Sequence, residues 1–97
     1  MAKRKKLPPL TPRAREIVNF VVNSVALGTH DDEGEVGAIA ERLGVAANRL
    51  APTLRKLTEQ GWITVENDFV YPTAAALQWQ NPELSEAAAK KILRRVR

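Results

Sequence analysis

The sequence predicts a mainly α-helical domain completed by one small β-hairpin, an α+β arrangement, and three observations carry that reading. Apolar residues recur at three- and four-residue steps in successive segments that each run into a glycine. The segment WITVENDFVY sets two short β-branched and aromatic runs around Asn67-Asp68. Helix-starting pairs, Thr11-Pro12 and Asn81-Pro82, stand before the first and last helical patterns. With 97 residues there is room for one domain with one modest core.

Taken in order, residues 1–10 form a basic N-terminal arm, expected to be flexible. At Thr11 a hydroxyl can cap free amides, and Pro12 takes the first helical position, where no amide donor is needed. Ala14, Ile17, Val18, Val21 and Val25 give this helix a buried stripe, and Gly28 is its stop. THDDEGE reads as a polar, solvated loop whose acids lie near the positive end of the next helix. Val36, Ile39, Ala40 and Leu43 then make a second amphipathic helix ended by Gly44, and Val45 is placed to plug the turn.

In the third helix, over 47–60, Ala47, Leu50, Leu54 and Leu57 make the inward stripe and Gly61 is the stop. At 100° per residue, Asn48, Arg55, Lys56 and Glu59 point away from that stripe, with Pro52 beside them and Arg49 on the flank. A two-residue hairpin turn at Asn67-Asp68 places Val65 opposite Val70. Thr73 caps AAALQW, which completes the domain over 11–80. Asn81-Pro82 starts a basic amphipathic helix over 81–97 with Leu84, Ala88 and Ile92 on one face.

A composition that is 44% hydrophobic and 27% charged is that of a soluble globular protein. Cysteine is absent, which removes disulfides and thiolate metal sites and suits a reducing, cytoplasmic setting. The single His30 leaves no ordinary histidine-based metal site, so no cofactor is expected. MAKRKKLPPL carries charge without a following apolar stretch, and no long apolar run occurs, which predicts no membrane association.

The net charge of +4 favours an anionic partner, and its distribution sharpens that expectation. Lys and Arg are segregated into residues 1–15, the segment 42–58 and the C-terminal stretch, while 16–41 carries acids and no Lys or Arg. No nucleophile with a base, glycine-rich phosphate loop or metal cluster is present, so a binding protein is expected rather than an enzyme. His30, Asp31 and Asp32 are similar to a phosphohydrolase pair but lack a second histidine cluster. Trp62 and Trp79 read as core or interface aromatics.

Helix, helix, turn, helix, hairpin, helix is the order of a winged helix-turn-helix domain. IAERLGVAANRLAPTLRKLTEQGWI, from Ile39 to Ile63, resembles the Ala-Glu-x-Leu-Gly-Val turn, Leu-x-x-Leu spacing and terminal Gly-x-Ile of MarR-like and ArsR-like prokaryotic regulators. Tyr71-Pro72-Thr73 is similar to the strand end and cap that follow the wing in such proteins, and LTPRAREIV is similar to the first helix of the LexA repressor domain. The resemblance implies a regulator of transcription, cytoplasmic and nucleoid-associated, that reads double-stranded DNA with the helix over 47–60 in the major groove. It also implies a homodimer formed by the first and last helices.

Carried over position by position, the resemblance makes Ala46, Ala47, Asn48, Arg49 and Thr53 base-edge candidates, with Asn48 suited to adenine and Arg49 to guanine. Arg55 and Lys56 are suited to phosphates, and Pro52 to a thymine methyl. Ala46 replaces the usual Ser or Thr cap. Pro52 predicts a helix that starts late, at Asn48 or beyond, or bends near its beginning. The expected wing carries Glu66, Asn67 and Asp68 instead of cations, so Lys3, Arg4, Lys5 and Lys6 of the arm are expected to grip the backbone or minor groove in its place. Two other functions fit: a sequence-tolerant architectural or replication-associated DNA binder, and a winged-helix protein-interaction module.

Overall fold

The computed structural model of the chain describes residues 7–96. Lys3, Arg4, Lys5 and Lys6 of the arm lie outside the described residues. The elements are α1 (Pro12–Leu27), α2 (His30–Glu33), α3 (Val36–Leu43), α4 (Ala47–Gln60), β1 (Ile63–Glu66), β2 (Phe69–Pro72), α5 (Ala74–Gln80) and α6 (Glu86–Val96). Mainly helical, with one two-stranded antiparallel sheet, the chain has the α+β composition that the periodicity predicts. Among the described residues, no helix is long and apolar enough to cross a membrane.

The local signals act as expected where their partners are near in sequence. Thr11 Oγ1 accepts the Ala14 amide at 3.2 Å, and Pro12 opens α1. The expected stops Gly28, Gly44 and Gly61 all have positive φ and close α1, α3 and α4 by donating to carbonyls of the last turn. Asn67 and Asp68 turn the hairpin at φ of 51° and 65°, and Val65 stands opposite Val70. Thr73 works twice, its hydroxyl oxygen accepting the Ala76 amide at 3.1 Å while its hydrogen is donated to the Gly61 carbonyl at 2.7 Å. One side chain thus starts α5 and ties it to the end of α4.

The core is built on α1. Ile17, Val18 and Val21 are fully buried against Ile39 of α3, Leu50 and Leu57 of α4, Val70 of β2 and Ala76 of α5. Val45 is half-buried in the turn between α3 and α4, packed on this core. Trp62 is buried with its ring perpendicular to that of the partly exposed Trp79, centroids 5.1 Å apart. Such edge-to-face pairs contribute about 0.5–1.5 kcal/mol beyond the area they bury.

The segment from Thr29 to Glu35 is not the solvated loop that its polarity predicts. His30 through Glu33 form one helical turn, α2, and His30 is only 2% exposed. Its Nε2 lies 2.7 Å from the Val70 carbonyl oxygen. A carbonyl only accepts, so this ring nitrogen carries the hydrogen. The ring also rests against Tyr71 and Phe69, with centroids at 4.9 and 5.9 Å. Without this turn the outer edge of β2 would present unpaired backbone groups beside the core. Instead the Val70 amide donates to the Gly34 carbonyl at 2.8 Å and the Val36 amide donates to the Asp68 carbonyl at 2.7 Å, with Glu35 bridged to Phe69.

The C-terminal helix also differs from its predicted extent. Asn81-Pro82 makes a turn, with the Glu83 amide bonded to Asn81 Oδ1 at 3.3 Å and the Leu84 amide to the Asn81 carbonyl at 3.0 Å. An asparagine that bonds the backbone two residues on competes with helix initiation. Ser85 caps instead, its Oγ accepting from the Ala88 amide at 3.1 Å, and α6 starts at Glu86. Ala89 is the fully buried residue of α6, flanked by half-buried Leu84, Ile92 and Leu93. The apolar face of α6 is therefore spent on its own domain.

Two glycine substitutions separate the packing at α2 from simple helix propensity. A Cβ on Gly34 would lie 2.6 Å from Cδ2 and Cε1 of the His30 ring, whereas one on Gly37 would meet nothing within 4 Å. Gly34→Ala is expected to lower the stability to urea by about 1–3 kcal/mol, the range for overpacking a filled site. Gly37→Ala, inside α3, is expected to raise it by about 0.5–1 kcal/mol.

Candidate nucleic-acid interface

Helix α4 turns Leu50, Leu54 and Leu57 inward and leaves a polar, cationic face to solvent. Asn48, Arg49, Pro52, Arg55 and Lys56 are all exposed on it, which is where the periodicity puts them. Ala47, expected in the inward stripe, is exposed at the first helical position. It lies at the edge of the stripe, about 60° from the direction of Leu50. Thr53 is half-buried and turned toward the N-terminal segment.

Contrary to the expected late start, α4 begins at Ala47 and runs unbroken through Pro52. Proline there has no amide to give to the Asn48 carbonyl, and both residues are exposed, so solvent is the available partner. An interior proline costs about 3 kcal/mol. Burying Leu50, Leu54 and Leu57 returns roughly 1.5–3 kcal/mol each, which explains why the helix persists. Ala46 supplies no side-chain cap, and the Arg49 and Leu50 amides bond its carbonyl at 3.0 and 3.2 Å. The first amides of α4 are thus left to solvent at the positive end of its dipole.

The two flanks of α4 differ. On one, Pro52, Thr53, Lys56 and Gln60 form a groove of about 300 Å³ with Pro9 and Leu10, so the last residues of the arm are packed beside Lys56. On the other, Ala51 and Leu54 meet Val36 and Val65 in an apolar groove of about 380 Å³ rimmed by Arg55, Glu59 and Asp68. Among the described residues, none of Arg49, Arg55 and Lys56 is in an ion pair, the pair found being Lys90 with Glu86 at 3.3 Å. Arg42, which the sequence reading did not single out, lies with its guanidinium 5.4 Å above the Phe20 ring. That contact ties the end of α3 to α1.

The exposed tip of the hairpin carries Glu66, Asn67 and Asp68. Asp68 lines the same groove as Arg55, so the charge across this face runs from positive beside Arg49 and Lys56 to negative at the hairpin. The His30, Asp31 and Asp32 set is not brought together as a site: His30 is buried under the hairpin edge while both aspartates are exposed. The sequence places Val36 in the stripe of α3 and Val65 opposite Val70 without marking either, or Ala51, as groove lining. Val65 alone left a signal, as an apolar residue on a hairpin whose other strand carries the buried member of the pair.

No family model, no curated protein and no solved structure matches this chain. The arrangement of α4 and its surroundings therefore carries the functional reading by itself.

Pro52 offers a direct check on the helix. Pro52→Ala restores the missing donor and removes a ring from the second turn, and is expected to raise stability to urea by about 1–3 kcal/mol. Far-UV circular dichroism should show no loss of helix in the same variant.

Proposed function

We propose that the chain is a winged helix-turn-helix protein that binds double-stranded DNA, with α4 as the helix that enters the major groove. The observation that carries this reading is the exposed face of α4, where Asn48, Arg49, Pro52, Arg55 and Lys56 stand together and the cations have no ion-pair partner among the described residues. Surface cations held without partners are available to neutralise phosphates, and a helix is the element that the major groove admits. The order α1, α3, α4, hairpin supports the winged-helix assignment, as does the Gly34–Val36 segment bonded to the edge of β2.

In this reading Asn48 and Arg49 face base edges, Arg55 and Lys56 face phosphates, and the uncapped amides at the start of α4 add a phosphate contact. Lys3, Arg4, Lys5 and Lys6 are assigned to the DNA backbone or minor groove, and Pro9 and Leu10, which follow them in the chain, pack beside Lys56. The acidic hairpin is held off the phosphates. The protein acts by binding, as a regulator rather than an enzyme. A protein-docking role has one specific observation in its favour, the apolar groove between α4 and the acidic hairpin.

Titration of a labelled random duplex over a range of salt concentrations tests the proposal. Wild type should bind with an affinity that falls steeply with salt, at a slope of about −0.9 per phosphate neutralised. Combining Arg55→Ala with Lys56→Ala should flatten that slope by about 2, and deleting residues 1–6 should flatten it further. Asn48→Ala should leave the slope unchanged and cost about 1–3 kcal/mol of preference for a sequence enriched from a random pool. Absence of salt-dependent binding would overturn the DNA reading, and retention without enrichment would select the sequence-tolerant form of it.

A further inference from the structure

We propose that the open edge of β1 takes up a basic, extended segment of a partner protein as an added antiparallel strand. The inference does not rest on DNA binding, and it gives a partner to the acidic hairpin that the DNA reading leaves off the phosphates. Its starting point is the register of the hairpin. Val65 stands opposite Val70, and the backbone of Val70 is turned away from β1, its amide donating to the Gly34 carbonyl and its carbonyl accepting from His30 Nε2. In an antiparallel pair, two residues opposite each other at such a position both turn their backbone groups outward. The Val65 amide and carbonyl therefore point out from the far edge of β1, where neither has a hydrogen-bond partner among the described residues. The two edges of the hairpin are unlike: β2 is sealed by His30 and Gly34–Val36, and β1 is open.

The side chains beside this edge state what the added strand carries. Val65 is 40% exposed and walls the apolar groove of about 380 Å³ together with Val36, Ala51 and Leu54. An antiparallel strand gives both hydrogen bonds of Val65 to one partner residue, whose side chain then lies on the same face as Val65, beside the groove. An aliphatic side chain fits there. Strand side chains alternate between faces, so the neighbours of that residue lie on the face of Glu66. Glu66 is exposed, and Glu59 and Asp68 stand on the rim of the groove with Arg55 as its one cation. Lysine or arginine between the aliphatic residues meets these acids, and opposite charges on neighbouring strands attract.

The same acids disfavour a second copy of this chain as the occupant. Pairing β1 with β1 about a two-fold axis at Val65 would gather Glu66 and Asp68 of both copies along one short edge, and like charges there repel. Charged residues protect edge strands from their own copies in this way. A strand of opposite charge is still admitted, its main chain supplying affinity and its alternate side chains specificity.

The probe is a synthetic heptapeptide of alternating valine and lysine, blocked at both ends, titrated at low salt into isotopically labelled protein. Saturation should slow hydrogen exchange of the Val65 amide by about tenfold or more, because that amide gains a partner. Binding should weaken as salt is raised. Methylating the valine nitrogens of the peptide, which face β1 in this arrangement, should weaken binding by about tenfold or more, whereas methylating the lysine nitrogens, on the far edge, should not. Combining Glu59→Gln, Glu66→Gln and Asp68→Asn should weaken it by about tenfold while leaving the circular dichroism spectrum unchanged. No binding at millimolar peptide, no slowing at Val65, or equal effects of the two methylations would each overturn the inference. So would protection of Val65 that grows with protein concentration without peptide, which assigns the edge to a second copy.

Discussion

The hydrogen bond from His30 Nε2 to the Val70 carbonyl, with the Val70 amide returned to Gly34, closes the outer edge of the hairpin and sets where every later element can go. A two-stranded hairpin alone is marginal in water. Here its free edge is satisfied by the His30 side chain and by the backbone of Gly34–Val36, one face of β2 supports the His30 ring and Val70 enters the core on α1. Once the hairpin is pinned, Thr73 at its far end bonds the Gly61 carbonyl and starts α5, so α4 and α5 are fixed at the base of the same hairpin. Position of α4 relative to the acidic tip follows from these few backbone contacts.

The candidate interface shows a balance between packing and polar availability. Leucines at 50, 54 and 57 hold α4 firmly enough to carry a proline and an uncapped start, both of which leave backbone groups exposed on the outward face. Those irregularities would be costly in a buried helix. On an exposed face solvent satisfies them, and a phosphate can take its place. The same face has cations on one flank and carboxylates on the other, which gives a polyanion one preferred side from which to approach.

Much of this was legible from residues close together in the chain. Thr11, Thr73, Gly28, Gly44 and Gly61 act on backbone groups within about one turn, and Asn67-Asp68 acts on its own two strands, so their effects can be read from spacing alone. The outward set Asn48, Arg49, Pro52, Arg55 and Lys56 followed from the 100° step of a helix. Three expectations differ from the structure, each for its own physical reason. His30 was assigned to solvent because its partner Val70 is forty residues away. Asn81-Pro82 was assigned to a helix because the competing Asn81 side-chain bond and the Ser85 cap are equally good local signals. Pro52 points to a late start or a bend in α4, and the start falls at Ala47 because the burial of Leu50, Leu54 and Leu57, which offsets the proline, is a tertiary quantity.

By itself, the sequence determined α1, α3, the hairpin and α5, the caps at Thr11 and Thr73, the stops at Gly28, Gly44 and Gly61, the register of the hairpin and the polar face of α4. Each of these rests on contacts between residues a few positions apart, whose geometry is set by the helix or strand that they build. Tertiary structure alone decided the burial of His30, the sealing of the β2 edge and the two unlike grooves beside α4. Those features are made by surfaces from different elements meeting, and a pattern along one chain does not say which surfaces meet.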